Sequence, residues 1–164
     1  MYSMKKITLS ALLVTGLAMG GTSAASAATT TKPAVPVHKD PSSQLVAYAK
    51  TLIGTPYKNG GTTVKGFDSS AFVQHVYKKV GVSLPRTTAD LYKQGTVVTL
   101  KQVKPGDLLF FDTIDNKKKD INYVGIYVGE NKFISVTTKK GVAVSSLDSY
   151  WNSKVAAVKH IGVK

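Results

Sequence analysis

The chain has 164 residues, a formal net charge of +13 and no cysteine. This length leaves room for one modest domain with a real hydrophobic core. The missing thiols exclude disulfides, zinc–thiolate sites and a thiol nucleophile. Nearly all of the positive charge is lysine, and Arg86 is the only arginine. That balance favours diffuse attraction to a polyanion over bidentate recognition of bases or phosphates, and a merely solubilising lysine surface fits it equally well.

The first residues are typical of a secretory signal peptide. A lysine pair precedes the apolar run Ile7 to Met19, and Ala25-Ser26-Ala27 supplies a small-residue cleavage pattern. We therefore predict a signal peptide over residues 1–27 and an exported protein. A membrane anchor is less favoured, because the run is shorter than the roughly 20 apolar residues of a span. Export without disulfides favours a bacterial, Gram-positive type of source.

Residues 28–41 are rich in Thr, Pro and Ala and show no apolar period, so we predict a flexible leader there. The folded domain then spans residues 42–164. Its first helix is predicted to begin at Ser42 or Ser43 and to end at Gly54. The apolar face of that helix comprises Leu45, Val46, Ala49, Leu52 and Ile53.

The glycine-rich stretch GTPYKNGGTTVKG comes next and predicts irregular structure. A second helix is predicted to begin at a cap, Asp68 or Ser69, and to stop at Gly81. Its buried face is predicted to comprise Phe72, Val73, Val76 and Val80. A short third helix is predicted over residues 88–94, closed by Gly95.

Beyond the third helix the pattern changes to short β-branched and aromatic runs separated by turn residues. The runs are GDLLFFDT, YVGIYVGE, NKFISVTT, GVAVSSL and KVAAVKHIGVK, and they read as strands. Helices followed by an antiparallel sheet make an α+β domain. The most polar loop, Asp115 to Asp120, is interpreted as a solvated turn.

Five motifs, in this order, resemble the NlpC/P60 family of bacterial cell-wall peptidases. They are GTPYKNGG, GFDSSAFVQHVYKKVGVSLPRTT, KPGDLLFFD, YVGIYVG and KFISV, and the match covers essentially all of Leu45 to Ile161. The resemblance implies a papain-like fold in which N-terminal helices pack on an antiparallel β-sheet. It also implies hydrolysis of peptide-stem amide bonds in peptidoglycan by a cysteine that a histidine activates.

Three positions depart from the family's catalytic pattern. Where the family has Asp-Cys-Ser-Gly, this sequence has a serine, Ser69, in place of the cysteine. Tyr123 stands in place of the histidine of His-Val-Gly-Ile-Tyr, and Ser135 in place of the histidine of Phe-Ile-His-Ala. A serine hydroxyl depends on an adjacent base more than a thiol does, and a neutral tyrosine is a poor base near pH 7. We therefore expect little peptidase activity and assign no catalytic residue.

The histidines offer no replacement base. His75 lies six residues after Ser69 on the predicted helix, about 9 Å in rise and some 240° around the axis. His38 falls in the leader and His160 in the last strand. A Ser–Lys pair is formally open, but no lysine occupies a family site position. Ser69 is interpreted first as part of the helix cap and second as a weak nucleophile.

Four further positions match the family's substrate cleft or its supporting turn: Tyr57, Asp68, Ser70 and Arg86. The resemblance implies a substrate-binding role for them, and each also suits a structural one. Asn59 departs from the aromatic residue that the family often has there.

The sequence therefore predicts a secreted or wall-associated, degenerate NlpC/P60 domain without hydrolytic activity. Its partners are predicted to be peptidoglycan stem peptides, anionic wall polymers or another protein. The alternative is a peptidoglycan hydrolase of altered mechanism that uses Ser69. Neither a cofactor nor a metal is expected, and no nucleic-acid-binding motif accompanies the positive charge.

Overall fold

The computed structural model describes residues 40–114 and 120–163. Predictions for the signal peptide, for most of the leader, for His38 and for residues 115–119 lie outside the described residues. Within them, helices span Pro41–Thr51 (α1), Ser69–Lys79 (α2), Thr88–Tyr92 (α3) and Ser149–Lys154 (α4). The strands are Thr62–Thr63 (β1), Gly66–Phe67 (β2), Thr96–Val98 (β3), Leu108–Phe111 (β4), Tyr123–Gly129 (β5), Lys132–Thr137 (β6), Gly141–Ser146 (β7) and Val155–His160 (β8).

Six of these strands form one antiparallel sheet in the order β3-β8-β4-β5-β6-β7. The predicted α+β class with a papain-like arrangement is confirmed, because α1 and α2 precede the sheet and α2 packs on its central strands β5 and β6. None of the helices in the described ranges is long and apolar enough to cross a bilayer.

Helix α1 begins earlier than predicted, because its N-cap is Asp40. The Asp40 carboxylate accepts the backbone N–H of Ser43 at 2.9 Å while Pro41 occupies the first turn. This order suits both residues, because proline has no N–H to satisfy at that position. The helix ends at Thr51, so the prediction that Ile53 belongs to the buried face is wrong: its side chain is 51% exposed.

Helix α2 follows the prediction closely. Asp68 caps it by accepting the N–H of Ala71, and the predicted apolar positions within the helix are buried. Val80 lies just beyond the last turn and is half-buried. The sequence reasoning missed Tyr77, which is fully buried and donates its hydroxyl to the carbonyl of Gly106.

Three elements escape the sequence pattern. The glycine-rich stretch contains the hairpin β1–β2, where a Cβ on Gly61 would lie 2.4 Å from the carbonyl oxygen of Gly66. Strand β3 forms one edge of the sheet, and α4 occupies the turn before β8. The third helix ends at Tyr92, shorter than predicted.

The two faces of the sheet carry two separate hydrophobic clusters. The helix-side core joins α1 and α2 to alternate residues of the central strands, such as Val124 and Ile134. The outer core lies on the opposite face and contains Leu109, Phe111, Phe133, Leu147 and Val158. Because side chains alternate across a strand, neighbouring residues of β5 belong to different cores.

Candidate active site

Ser69 is the first residue of α2. The N-terminus of a helix favours an anion, so this is a suitable place for a nucleophile. The side chain is half-buried, and its hydroxyl makes no hydrogen bond within the part of the chain that the structure describes. The prediction that Ser69 acts as a cap is wrong, because Asp68 holds that role.

Asp68, Ser70 and Arg86 form one hydrogen-bonded cluster beside Ser69. Both terminal nitrogens of Arg86 donate hydrogen bonds to the Asp68 carboxylate, and one of them also donates to Ser70 Oγ at 2.9 Å. Ser70 in turn donates to Asp68 Oδ1 at 3.1 Å. This bidentate arrangement fixes the capping carboxylate and ties the start of α2 to the turn before α3.

The cluster also sets the ionisation of the cap. Burial alone would raise the pKa of Asp68, but hydrogen bonds from Arg86 and the Ala71 amide, the charge of Arg86 and the Ser70 hydrogen bond together lower it. A carboxyl whose folded-state pKa is depressed contributes stability above its unfolded value, and this contribution is lost as the pH falls through the folded value.

Asp68→Asn is therefore expected to destabilise the domain by about 1 kcal/mol at neutral pH, a modest figure because Arg86 is partly exposed. The free-energy difference from the natural protein should shrink below about pH 4, where the carboxyl protonates. Urea unfolding across this pH range measures it. A free-energy difference that stays constant below about pH 4 would show that the ion pair contributes nothing to stability.

Tyr57 lies on the strand-like segment beside this cluster. Its backbone forms an isolated bridge with Phe67, the residue before the capping aspartate, and its side chain is 39% exposed. The bridge thus brings the Tyr57 backbone next to the strand that leads into the Asp68, Ser70 and Arg86 cluster at the start of α2. We call Tyr57, Asp68, Ser69, Ser70 and Arg86 the α2 entry surface.

Tyr123 occupies the position of the expected base, at the first residue of β5. Its ring packs against the outer core and stacks on Trp151, with centroids 5.6 Å apart and planes inclined by 19°. The hydroxyl lies 2.7 Å from Ser135 Oγ and donates to the carbonyl of Val136 at 3.0 Å. Burial raises the pKa of Tyr123 to about 12, although the Ser135 hydrogen bond lowers it in part.

Ser135 is fully buried on β6. Space beside it is limited, because a Cβ on Gly125 would lie 3.2 Å from the Ser135 Cβ. The structure therefore brings two of the three altered positions, Tyr123 and Ser135, into direct contact. Their hydroxyl groups are hydrogen-bonded to each other, and the Tyr123 ring packs in the outer core. The buried face of α2 packs in the helix-side core instead.

The two described histidines are both engaged elsewhere. His75 lies 3.0 Å from the Tyr48 hydroxyl, and burial together with the charges of Lys78 and Lys79 lowers the pKa of its imidazole. His160 pairs with Asp107 at 2.7 Å on strand β8, which is separated from β5 by β4. In residues 40–114 and 120–163, no group of three or more His, Asp or Glu side chains is arranged to hold a metal ion.

Trp151 is the residue that sequence reasoning overlooked. It contacts Tyr123, Phe111, Phe133 and the exposed Tyr150 through its ring. The Asp148 side chain, which accepts the Trp151 N–H at 3.0 Å, caps the short helix that carries it. That cap was the available signal, an acidic residue followed by a serine after a strand.

A helix whose N-terminus carries the nucleophile position, packed on an antiparallel sheet whose strands carry the partner positions, defines a papain-like fold. The sequence profile described as the NlpC/P60 family matches residues 54–160. The chain belongs to the NlpC/P60 family of peptidoglycan hydrolases.

Curated relatives agree with this membership. The chain is 38% identical over 126 residues to a gamma-DL-glutamyl hydrolase of Bacillus subtilis, covering 74% of this chain and 30% of that protein. It is 43% identical over 101 residues to a probable endopeptidase, the NlpC homologue of Haemophilus influenzae, covering 60% of this chain and 51% of the relative. The chain thus spans between about a third and a half of the length of these relatives.

Solved structures place the fold in the same family. An NlpC/P60 family protein from Bacillus cereus matches with a TM-score of 0.68 and 27% identity, over 73% of this chain and 39% of that one. RipD from Mycobacterium tuberculosis, described as a non-catalytic NlpC/p60 domain protein, matches with a TM-score of 0.62 and 23% identity, over 76% of this chain and all of that one. At that identity the second match concerns the fold alone.

Proposed function

We propose that this protein is a non-hydrolytic NlpC/P60 domain that binds peptidoglycan stem peptides. The observation that carries the proposal is the state of Tyr123. Its ring is stacked on Trp151 and its hydroxyl is hydrogen-bonded within the sheet, so Tyr123 does not act as a base for Ser69.

The size of the missing contribution supports inactivity. A serine hydroxyl is un-ionised at neutral pH, and general-base assistance contributes about 10² to 10⁴-fold to such a step. A phenol with a pKa of about 12 keeps its proton at pH 7. Replacing the family's cysteine by serine and its imidazole by this phenol therefore removes both the reactive anion and the means of making one.

Binding of a stem peptide can persist after catalysis is lost, because the binding residues differ from the catalytic ones. On the α2 entry surface, the hydrogen bonds of Arg86 hold Asp68 and Ser70 in place, and Tyr57, whose backbone bridges to Phe67, offers a half-exposed aromatic ring. RipD, which shares the fold, is described as non-catalytic with an adaptation to peptidoglycan binding. The same separation of binding from hydrolysis is the function we assign to this chain.

We also propose that the protein is exported and acts at the cell wall, as the signal-peptide pattern of residues 1–27 predicts. Anionic wall polymers or a protein partner would add to stem binding through the lysine charge. Such attraction is diffuse and screened by salt, so it is separable from recognition at the α2 entry surface.

A pull-down with purified cell walls at physiological salt tests the proposal. The mature protein should be retained, and Tyr57→Ala should reduce its affinity for the wall by up to about 10-fold, since aromatic contacts are worth roughly 0.5–1.5 kcal/mol. Tyr150→Ala is the matched control, because Tyr150 is another exposed tyrosine, on α4, and its loss should leave retention unchanged. Retention no greater than that of an unrelated protein of equal charge would refute wall recognition.

One observation favours the alternative, a hydrolase that uses Ser69. The Ser69 hydroxyl has no hydrogen-bond partner in the described ranges and sits at a helix N-terminus. Such an enzyme requires a base that the described residues do not place beside it. Its signature would be turnover that Ser69→Ala abolishes.

A further inference from the structure

A second set of chemically complementary side chains lies away from the α2 entry surface, in one cross-strand row of the sheet. Thr96 on β3 is the direct partner of His160 on β8, and the β8–β4 register places Asp107, the residue before β4, on the other side of His160. Directly opposed residues of antiparallel strands have Cβ atoms about 4.5–5.5 Å apart. A hydroxyl, an imidazole and a carboxylate therefore follow one another across three neighbouring strands.

The carboxylate of this row is built to orient the imidazole. The Asp107 side chain is 3% exposed, and its Oδ1 lies 2.7 Å from His160 Nδ1. Its other oxygen accepts the backbone N–H of Lys104 at 2.8 Å. With Nδ1 committed to the carboxylate, Nε2 is the ring nitrogen left for chemistry, and it has no partner among the residues described.

The free side of the imidazole opens on a cleft. A cavity of about 580 Å³ is lined by Thr96, Gln102, Lys104, Asp107 and His160, with Val97 and Val98 supplying apolar surface. Its volume falls within the range of small-molecule sites. His160 is half-exposed, whereas the carboxylate behind it is shielded from water, as an orienting group should be.

We propose that Thr96, His160 and Asp107 form a second hydrolytic site, which cleaves short carboxylic esters. Thr96 Oγ1 attacks the carbonyl carbon while its proton passes to His160 Nε2. The bond to the leaving oxygen then breaks, and the departing alcohol takes that proton. Water repeats the sequence on the acyl-threonine, which releases the carboxylic acid and restores the hydroxyl.

Each residue has a distinct role in this step. Thr96 and His160 are the catalytic residues, and Asp107 is a positioning residue that holds the imidazole in one tautomer. Lys104 supplies a positive charge at the cleft and favours esters that carry an anionic group. No hydrogen bond joins Thr96 to His160 in the structure, and hydrogen bonds between catalytic groups often form only when substrate is bound.

Labelling of the mature protein with diisopropyl fluorophosphate tests this site. The oxygen of an activated hydroxyl forms a bond to the phosphorus of the reagent, and its proton goes to the imidazole. The P–F bond breaks and fluoride leaves. Peptide mapping by mass spectrometry should place the label on Thr96. Thr96→Val should abolish the label and His160→Gln should slow labelling about 10² to 10⁴-fold. Thr62→Val, a change at an exposed strand threonine that does not line the cavity, should label like the natural protein.

Two precautions keep the result decisive. His160→Gln leaves the buried Asp107 without its partner and can unfold, whereas Thr96→Val is isosteric on a short edge strand and should fold. For Asp107, Asp107→Asn should slow labelling and Asp107→Glu should restore part of the rate, whereas a purely structural role predicts equal labelling of the two variants once both are folded. Absence of label, or label on Ser69 or scattered over other residues, would overturn the inference and leave the His160–Asp107 pair as a structural link between strands.

Discussion

The double variant Ser69→Cys, Tyr123→His is expected to hydrolyse peptidoglycan stem peptides, whereas we expect the natural protein to leave them intact. The first change restores a nucleophile that can ionise at the start of α2, where the helix dipole favours its anion. The second replaces the buried phenol by an imidazole that can accept the proton near neutral pH. We expect its rate to exceed that of Ser69→Cys alone by about 10² to 10⁴-fold, the usual contribution of a general base.

Ser69→Cys alone is the control, because it supplies the thiol without the base. Mass spectrometry of purified peptidoglycan fragments measures the products of both variants. Adding Ser135→His would complete the family's pattern, but Ser135 is fully buried and the neighbouring Gly125 leaves little room. The triple variant is thus expected to gain activity only if the space vacated by the Tyr123 ring admits the second imidazole. A double variant as inert as Ser69→Cys would contradict the view that the chemistry alone was lost.

Phe72→Ala is expected to cost about 3–5 kcal/mol of unfolding free energy. Phe72 is fully buried on α2, and its ring meets Phe67 edge-on with centroids 6.1 Å apart. The two rings hold the start of α2 against the β1–β2 hairpin. Since small domains have only about 5–15 kcal/mol in total, the loss should unfold a large share of molecules at physiological temperature.

Chemical denaturation of the natural and variant proteins measures this cost. Tyr150→Ala is the control, because that aromatic ring is 56% exposed and its removal should change stability by no more than about 0.5 kcal/mol. Equal effects of the two substitutions would contradict the assignment of Phe72 to the core that positions the α2 entry surface.

The sequence was most informative where local chemistry decides local structure. The cap at Asp68 and the 3.6-residue period of Phe72, Val73 and Val76 predicted α2 almost to the residue. The five β-branched runs each became a strand, since alternation and turn residues are local signals. The resemblance, not periodicity, placed Ser69, Tyr123 and Ser135 in one site.

What escaped prediction depends on contacts between distant residues. No local sequence pattern predicts that Tyr123 packs against Trp151, because the two residues are 28 positions apart and lie on β5 and α4. The row of Thr96, His160 and Asp107 exists only through the register of β3 and β4 on β8. The prediction that Ile53 is buried was wrong because α1 ends at Thr51, earlier than the apolar period of the sequence suggested.

The central claim is that this NlpC/P60 domain no longer hydrolyses stem peptides. The most direct measurement is mass spectrometry of peptidoglycan fragments incubated with the natural protein and, in parallel, with Ser69→Ala. We predict no cleavage product from either protein. Cleavage by the natural protein that Ser69→Ala abolishes would contradict the claim and make Ser69 a working nucleophile.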